Sequence, residues 1–400
     1  TLQRYGSPPH LKHLVALRAC NPIEGVEVQV VATEGELLLA WQRFVREQNP
    51  DVLVGYNILK FDLAFMWERA RLLGVATAFS QLGRDRYEET RFVTKTMSSN
   101  AAGSNEYRLF DSTLCRVQLD LLPIMRQGHK LESYSLNAVS EALLGDKKVD
   151  MTPGRLFQLW EEGTPEGLTE IGVYCVKDVE LPLRLMAHLK TVPNLVEMSR
   201  ITQVTVDDLV VRGQQIKVFN QLLKFCGPLD MLIPTPADRE EGADEEAEKA
   251  AAEKFQGATV IEPKVGVYID ADMQLTGGGE GVRSGCVTVL DFKSLYPTIM
   301  RGFNLCYSTL SFEGGPHDAA PGVEWTEYAA NAQGRRYRFA LNRPGVLPAI
   351  LSELSAARTE AKRQMKAATD PGERAVLDGR QLALKVSANS IYGFTGVTRG

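Results

Sequence analysis

The 400-residue chain lacks several features that mark specialised classes of protein. Its six cysteines form no Cys-x-x-Cys pair, which argues against a disulfide framework and against a zinc or iron-sulfur site within these residues. It has no long apolar run and no basic leader followed by apolar residues, so we expect neither a membrane span nor a signal peptide. The absences favour an intracellular globular protein whose thiols are buried and reduced. The cysteines are Cys20, Cys115, Cys175, Cys226, Cys286 and Cys306.

Positive charge is also not in excess, since the net charge is −5. Phosphate contacts require clustered lysine and arginine, so this average argues against a nucleic-acid binder. Much of the acid, however, lies in one run, Asp238 to Glu253, which has few bulky apolar residues and predicts a solvated loop or exposed helix. A later segment is locally basic. Its cations are Arg358, Lys362, Arg363, Lys366, Arg374, Arg380 and Lys385.

What the chain does contain is enough apolar material, at 44% hydrophobic and 8% aromatic residues, for two or three domains. From residue 1 to about 196, strand-like and helical segments alternate and predict an α/β domain. Thr33-Glu34-Gly35-Glu36 has the form of a capping box that opens an amphipathic helix. Val52-Leu53-Val54 predicts a core strand, and a further helix is expected to begin around Asp62.

The rest of the chain predicts a connection and then two different architectures. Residues 197–254 predict a helical connection that ends in a proline-containing, acidic linker. Residues 255–337 combine short apolar runs with glycines and predict sheet and loops, whereas residues 338–400 predict two antiparallel helices. Pro348 is expected to start the first helix, and Asp370-Pro371-Gly372-Glu373 to start the second, which Gly393 is expected to end.

Two segments point to specific chemistry. Asp291-Phe292-Lys293-Ser294-Leu295-Tyr296-Pro297 follows the apolar run Val287 to Leu290, so Asp291 is predicted at the end of a buried strand, where it can hold a metal ion. Lys385-Val386-Ser387-Ala388-Asn389-Ser390-Ile391-Tyr392-Gly393 predicts a helix with its first, fifth and eighth residues on one face. In this order, the segments resemble motifs A and B of the family B DNA polymerases of the replicative delta type.

Further segments resemble the same family, and so many short motifs in register are specific where one alone would not be. They are Gly55-Tyr56-Asn57-Ile58 to Phe61-Asp62, Tyr134-Ser135-Leu136-Asn137, Tyr174-Cys175-Val176-Lys177-Asp178, Gly213-Gln214-Gln215-Ile216-Lys217-Val218, Gly257-Ala258-Thr259-Val260-Ile261-Glu262-Pro263 and Asp378-Gly379-Arg380-Gln381. The resemblance implies a multidomain protein of α/β and α+β parts. An RNase H-like 3′-5′ exonuclease domain would occupy residues 1–196, a connection 197–254, part of the palm 255–337, and helical fingers 338–400.

For the polymerase site, the resemblance implies nucleotidyl transfer assisted by two Mg²⁺ ions, with Asp291 as a metal ligand. Tyr296 is expected to exclude the ribose 2′-hydroxyl. The nucleotide-binding residues implied are Ser294, Leu295, Tyr296, Arg358, Lys362, Lys385 and Asn389, and the DNA contacts implied are Tyr392 and Gly393. The plainer alternatives are a strand-end cap for the aspartate, solvated cations on helices and ordinary core tyrosines.

For the exonuclease site, Asp62 and Asp178 are implied as Mg²⁺ ligands. Tyr174, one helical turn before Asp178, is expected to orient the attacking water. Asn57 and Phe61 are expected to contact the single-stranded primer end. The alternatives are that Asp62 merely caps the helix that follows and that Asp178 faces solvent.

Two motifs expected for the family do not occur in these residues: an Asp-x-Glu on a strand upstream of Asn57, and a Tyr-Gly-Asp-Thr-Asp downstream of motif B. We therefore expect an internal piece of a longer nuclear polymerase whose partners are primer-template DNA, deoxynucleoside triphosphates, a sliding clamp and accessory subunits. Zinc or an iron-sulfur cluster is implied only for a C-terminal region beyond Gly400. A non-catalytic scaffold with the polymerase fold and a viral family B polymerase stay open as alternatives.

Overall fold

The computed structural model describes residues 1–85, 87–99, 103–146, 151–233, 262, 290–331 and 334–395. The acidic run 238–253, the glycines 277–279 and most of the segments 257–263 and 287–290 lie outside these residues. Contacts between Cα atoms divide the chain into two units. The first comprises Thr1–Gln221 with Ala356–Lys385, and the second comprises Leu222–Ser355 with Val386–Gly400.

The described strands are short and pair in small sheets. They are β1 (Leu2–Gln3), β2 (Pro9–Leu11), β3 (His13–Leu17), β4 (Glu27–Val31), β5 (Val52–Gly55), β6 (Phe92–Ser99), β7 (Gly103–Phe110), β8 (Val117–Asp120), β9 (Leu310–Phe312), β10 (Ala329–Ala330) and β11 (Arg336–Phe339). Strand pairs β3–β4 and β5–β8 are parallel, whereas β1–β2 and β6–β7 are antiparallel. In the second unit, β10, β11 and β9 form an antiparallel sheet in that order.

Helices supply the rest of the regular structure. They are α1 (Glu34–Gln48), α2 (Asp62–Leu72), α3 (Ala76–Phe79), α4 (Leu121–Gly128), α5 (Leu136–Leu144), α6 (Pro153–Glu162), α7 (Pro165–His188), α8 (Thr191–Thr202), α9 (Val206–Val211), α10 (Gln215–Cys226), α11 (Leu295–Gly302), α12 (Val346–Ala367) and α13 (Pro371–Thr395). None of those in the described ranges combines the length and apolar character needed to cross a membrane. The mixture of helix and sheet confirms the general α and β character expected from the sequence.

Helix α1 forms as its sequence predicts. The hydroxyl of Thr33 accepts a hydrogen bond from the Glu36 backbone N–H at 3.2 Å, and the Glu36 carboxylate accepts one from the Thr33 N–H at 3.2 Å. This reciprocal capping box satisfies backbone donors that the helix itself cannot use. Leu38 and Val45 then bury the inner face of the helix in the core of the first unit.

The parallel pair β5–β8 places the exonuclease-like segments. Gly55 and Asp120, the last residues of the two strands, are register partners. Because parallel strands end at the same edge of a sheet, the loops that follow them meet there. Helix α7 packs against β5, and α5 packs against α7. The elements that carry Asn57, Asp62 and Asp178 therefore converge on one strand.

Two expectations about helix ends need correction. Helix α12 begins at Val346, so Pro348 lies in its first turn instead of starting it. Helix α13 continues past Gly393 to Thr395. A glycine cap is not required there, because the Thr395 hydroxyl donates to the Tyr392 carbonyl oxygen at 2.8 Å and Tyr307 donates to the Thr395 carbonyl oxygen at 2.8 Å.

The connection and the thiols also differ from expectation in detail. Helix α8 runs across the predicted boundary between residues 196 and 197, and α8, α9 and α10 confirm that the connection is helical. The prediction of buried thiols is only partly right. Cys226 and Cys306 are buried, whereas Cys115 and Cys175 are exposed. The scattering of cysteines along the sequence gave no indication of which ones face solvent.

Candidate active sites

The loop between β5 and α2 carries three of the predicted exonuclease residues. A Cβ atom at Gly55 would lie 2.4 Å from the Cγ2 atom of Ile58, so the loop folds back on the strand end and only glycine fits there. Asn57 follows with a φ of 67°, a left-handed conformation that asparagine tolerates better than most residues. The backbone N–H of Phe61 donates to the Asn57 carbonyl oxygen at 3.1 Å and closes the turn before Asp62.

A buried carboxylate, Asp120, holds this loop from the neighbouring strand. Asp120 is 1% exposed, and its Oδ1 atom accepts hydrogen bonds from the N–H of Asn57 at 2.7 Å and of Leu122 at 3.0 Å. Its Oδ2 atom accepts one from the N–H of Leu59 at 3.1 Å. Burial raises the pKa of Asp120, and the three backbone donors oppose that rise. Sequence reasoning missed this residue, although a polar residue between a strand and a helix is a cap signal.

The structure does not support the alternative in which Asp62 merely caps the helix that follows it. Phe61 is the N-cap residue of α2 and makes no side-chain cap hydrogen bond, whereas Asp62 is the first residue of the helix. Asp62 has much surface open to solvent, yet the protein packed around its carboxyl group raises its pKa, and the charge of Asp120 adds to the rise. Two carboxylates thus lie near each other at this edge, one buried in backbone hydrogen bonds and one open to solvent.

The aromatic face of α2 is exposed beside Asp62. The Phe61 and Phe65 rings are 62% and 56% exposed, and they stack with centroids 6.1 Å apart and planes 11° apart. Lys60 donates to the Asn105 side-chain oxygen at 2.9 Å. Exposed rings can stack on unpaired bases, which is the chemistry that the predicted contact of Phe61 with a primer end would use.

Tyr174 and Asp178 lie on α7, the long helix that packs against β5. Both residues are half-buried, so Asp178 is not the fully solvent-facing residue of its plainer alternative. The adjacent Lys177 donates to the Asp146 carboxylate at 2.8 Å. The helix places Tyr174 and Asp178 one turn apart on one face, as the sequence predicts.

The predicted donors have the chemistry that Mg²⁺ prefers. Asp62 and Asp178 supply carboxylate oxygens, the hard ligands that Mg²⁺ selects. Within the described ranges, no group of three histidine, cysteine, aspartate or glutamate side chains is arranged to hold a metal ion. The donor type fits Mg²⁺, and any complete coordination sphere needs further ligands or water.

The motif A segment of the second unit precedes and forms helix α11. Ser294 has a φ of 54° and is the N-cap residue of that helix. Pro297 and Met300 face inward and are buried, while Asp291 and Leu295 are exposed. The predicted metal-binding and nucleotide-binding residues of this segment are therefore exposed to solvent, and its buried residues pack against the protein.

Motif A and motif B meet through two tyrosines. The Tyr296 ring stacks on the Tyr392 ring with centroids 4.0 Å apart and planes 6° apart. The rings are 41% and 48% exposed, so neither is an ordinary core tyrosine. Arg301 ties α11 to the start of α12 by donating to the Ser352 hydroxyl at 3.0 Å.

The predicted triphosphate-binding cations occupy different surroundings. Arg358 is half-buried and its Nε atom lies 3.5 Å from the Gln381 side-chain oxygen, which links α12 to α13. Lys362 and Lys385 are exposed, as is Asn389.

Residues 378–381 have a packing role that the sequence did not reveal. A Cβ atom at Gly379 would lie 2.3 Å from the Asn194 Oδ1 atom, so α13 approaches α8 closely at this glycine. Arg380 lies 3.8 Å from the buried carboxylate of Glu197 on α8. The contacts explain a glycine and an arginine whose roles the sequence pattern left open.

Comparison with known proteins agrees with both sets of motifs. Residues 1–139 match the family described as DNA polymerase family B, exonuclease domain, and residues 204–400 match DNA polymerase family B. The chain is 42% identical to the DNA polymerase delta catalytic subunit of Oryza sativa subsp. japonica over 402 residues, which is 100% of this chain and 34% of that protein. It is 39% identical to the subunit of the same name from Schizosaccharomyces pombe over 398 residues, which is 99% of this chain and 34% of that protein.

The chain thus spans about a third of the length of the curated relatives it matches. The two family matches follow each other along the chain in the order that the motifs predict. The segment with Asn57 and Asp62 follows the edge of a parallel strand pair, and motifs A and B are in contact. The family indicated by the sequence motifs therefore agrees with the geometry of the structure. The chain belongs to DNA polymerase family B, and it includes the exonuclease domain of that family.

Proposed function

We propose that this chain is part of a replicative, delta-type DNA polymerase that synthesises DNA on a template and proofreads it with a 3′-5′ exonuclease. Residues 1–196 are assigned to an RNase H-like exonuclease domain, 197–254 to a connection, 255–337 to part of the palm and 338–400 to the fingers. The observation that carries the proposal is the succession of an exonuclease-domain match and a polymerase match in one chain.

In the exonuclease reaction, water attacks the terminal phosphodiester of a frayed primer, the bond to the 3′-oxygen of the penultimate nucleotide breaks, and the last nucleotide leaves as a 5′-monophosphate. The exposed Phe61 ring stacks on an unpaired base, and Asn57 contacts the same primer end. Asp62 and Asp178 would hold Mg²⁺, and Tyr174 would orient the water beside Asp178. When bound, the metal stabilises the negative charge on the phosphate and activates the water.

In the polymerase reaction, the primer 3′-hydroxyl attacks the α-phosphate of an incoming nucleotide, a new phosphodiester bond forms, and the bond to the β-phosphate breaks to release pyrophosphate. Asp291 is the metal ligand of this site within the chain, with Ser294 and Leu295 lying against the triphosphate. The Tyr296 ring lies under the sugar and excludes a 2′-hydroxyl. The cations that bind the triphosphate are Arg358, Lys362 and Lys385, and the residues beside the nascent base pair are Asn389, Tyr392 and Gly393.

The same proposal extends to the ligands, the partners and the cellular location of the protein. Mg²⁺ serves both sites, primer-template DNA and deoxynucleoside triphosphates are the substrates, and the protein acts in the nucleus with a sliding clamp and accessory subunits. Zinc or an iron-sulfur cluster belongs to a C-terminal region of the full-length protein. The relatives, which are named catalytic subunits of DNA polymerase delta, support the DNA and nucleotide substrates of this proposal.

The exonuclease assignment is tested by excision of a mismatched, labelled primer end by the full-length protein that contains these residues. We expect Asp62→Ala and Asp178→Ala each to abolish excision while extension of a matched primer continues. The double variant should be little worse than either single one, because ligands of one metal cluster act as a unit. Tyr174→Phe should reduce excision less, since it removes a hydrogen bond and leaves the metal ligands in place.

A matched control is Asp51→Ala at the start of β5, where the carboxylate forms an exposed ion pair with Arg84. Such pairs contribute little to stability, so this variant should excise at the unmodified rate. Full excision activity in either the Asp62 or the Asp178 variant would remove that residue from the site.

A further inference from the structure

We propose that Asp120 is the positioning residue of the exonuclease site. Its buried carboxylate fixes the Asn57–Asp62 segment through the backbone N–H groups of Asn57 and Leu59, which sets where Asn57, Phe61 and Asp62 meet the primer end. This inference rests on the proposed exonuclease function. In this role Asp120 positions other residues of the site and does not itself contact DNA or metal.

The hydrogen bonds define the role. Oδ1 accepts from the Asn57 N–H at 2.7 Å and Oδ2 accepts from the Leu59 N–H at 3.1 Å. The two oxygens of one carboxylate therefore each hold one residue of the loop by a hydrogen bond. A neutral side chain with one acceptor oxygen cannot make both bonds. Charge-assisted hydrogen bonds are also stronger than neutral ones, and these lie in a buried setting where solvent cannot replace them.

The loop conformation explains why these two hydrogen bonds are needed. Asn57 is in the left-handed region, which is uncommon for residues other than glycine even though asparagine tolerates it better than most. The close approach of Ile58 to Gly55 forces the chain to reverse directly after β5. Asp120 is the register partner of Gly55, so it lies at the edge of the sheet where the loop turns.

Other contacts keep the loop attached when the carboxylate is removed. The carbonyl oxygen of Leu59 accepts from the Arg108 N–H at 2.7 Å, and the Leu59 side chain is fully buried. The Tyr56 hydroxyl donates to the Tyr134 carbonyl oxygen at 2.6 Å. Loss of Asp120 should therefore displace the Asn57–Asp62 segment locally and leave the domain folded.

The second function of Asp120 must be separated from the first. Its Oδ1 atom also caps α4 by accepting from the Leu122 N–H at 3.0 Å. In Asp120→Ser, the shorter side chain can still cap the helix but cannot reach both loop N–H groups. Asp120→Asn is a second variant that keeps one acceptor oxygen, and we expect it to fall between Asp120→Ser and the unmodified protein.

A matched control removes a helix cap elsewhere in the same domain. The Ser135 hydroxyl caps α5 by accepting from the Ala138 N–H at 3.2 Å. Ser135→Ala therefore has the general effect of a lost cap without touching the loop. It should excise mismatches within about twofold of the unmodified rate, since the substitution removes the bond to the Ala138 N–H and keeps the Tyr134 carbonyl oxygen that accepts from Tyr56.

The experiment uses the full-length protein with a labelled mismatched primer-template. We expect Asp120→Ser to lower the single-turnover excision rate by about 10- to 100-fold, the range for residues that orient metal ligands, and to raise the Mg²⁺ concentration at half-maximal excision. Extension of a matched primer should stay within about twofold of the unmodified rate. Amide hydrogen exchange at Asn57 and Leu59 should accelerate by at least about tenfold, with α4 unchanged.

The outcomes separate this inference from the proposed function. Unmodified excision and unmodified exchange of the loop in both Asp120 variants would overturn the positioning role. Faster exchange throughout α2 and α4 in both variants would also overturn it, because Asp120 would then be a general stabilising residue. If the unmodified protein excised no mismatches, the proposed exonuclease function would fail, and the exchange at Asn57 and Leu59 would still decide whether Asp120 holds the loop.

Discussion

Tyr296 and Tyr392 join motif A to motif B at the scale of single residues. Their rings stack in parallel with centroids 4.0 Å apart, and each tyrosine stays partly exposed. A ring in a stack is held in one orientation, as a group that excludes a 2′-hydroxyl must be.

We predict that Tyr296→Ala admits ribonucleotides, because removing the ring opens the volume beneath the sugar. The ratio of kcat/KM for a ribonucleotide to that for the matching deoxynucleotide should rise at least about tenfold, which corresponds to ~1.4 kcal/mol. Tyr296→Phe keeps the ring and is the control that should retain discrimination. An unchanged ratio in Tyr296→Ala would return this tyrosine to a packing role.

Lys217 is a second residue with a testable consequence, because it is 5% exposed and burial lowers its pKa from 10.5 to about 8. Below about pH 8 the folded protein must bury a charged lysine. Between pH 8 and 10.5 the unfolded chain binds more protons than the folded chain, so stability rises with pH through this window.

We predict that Lys217→Met stabilises the full-length protein at pH 7 by on the order of 3 kcal/mol, which follows from the size of the shift in pKa. The gain should shrink as the pH rises from about 8 through 10.5, above which the unmodified lysine is neutral in both states. Thermal unfolding midpoints at a series of pH values measure it. A gain that did not depend on pH would mean that the lysine is not buried in its charged form.

Single residues also mark what sequence alone can and cannot identify. Asn57, Phe61 and Asp62 are recognisable because their spacing is local. Asp120 is not, since its partners are backbone N–H groups of a loop about sixty positions earlier in the chain that only the pairing of β5 with β8 brings close. Likewise, no local pattern distinguishes Lys217 from a lysine that faces solvent.

Among the elements, helix α13 depends on a glycine where it packs on α8. The Asn194 side chain, which donates to the Leu189 carbonyl oxygen at 3.2 Å, fills the space that a Cβ atom at Gly379 would enter. Helix starts with explicit caps, such as that of α1, were predictable from sequence. Close helix contacts such as this one were not, because they depend on tertiary packing.

We predict that Gly379→Ala destabilises the full-length protein by about 1–2 kcal/mol, since overpacking outweighs the better helix propensity of alanine. Gly393→Ala is the control on the same helix, where nothing lies within 4 Å of the added Cβ atom, and it should not lower the thermal unfolding midpoint. Asn194→Ala combined with Gly379→Ala should recover most of the loss. A stabilised Gly379→Ala variant would show that the contact yields readily.

At the scale of the whole molecule, two sets of proposed site residues follow one another along the chain. The first unit contains Asn57, Asp62, Tyr174 and Asp178, and the second contains Asp291, Tyr296 and Tyr392. The order of the exonuclease-domain match and the polymerase match was predictable because short local motifs indicate each. The division into contact units was not, since α12 and α13 each contribute to both units.

The two proposed activities should therefore be separable by single substitutions. The most direct test is a time course on one labelled primer-template with a mismatched 3′ end, using the full-length protein with and without deoxynucleotides. Asp62→Ala should extend primers but leave the mismatch in place, and Asp291→Ala should excise the mismatch but fail to extend. Loss of both activities in either variant, or retention of both, would contradict the assignment of these aspartates to separate sites.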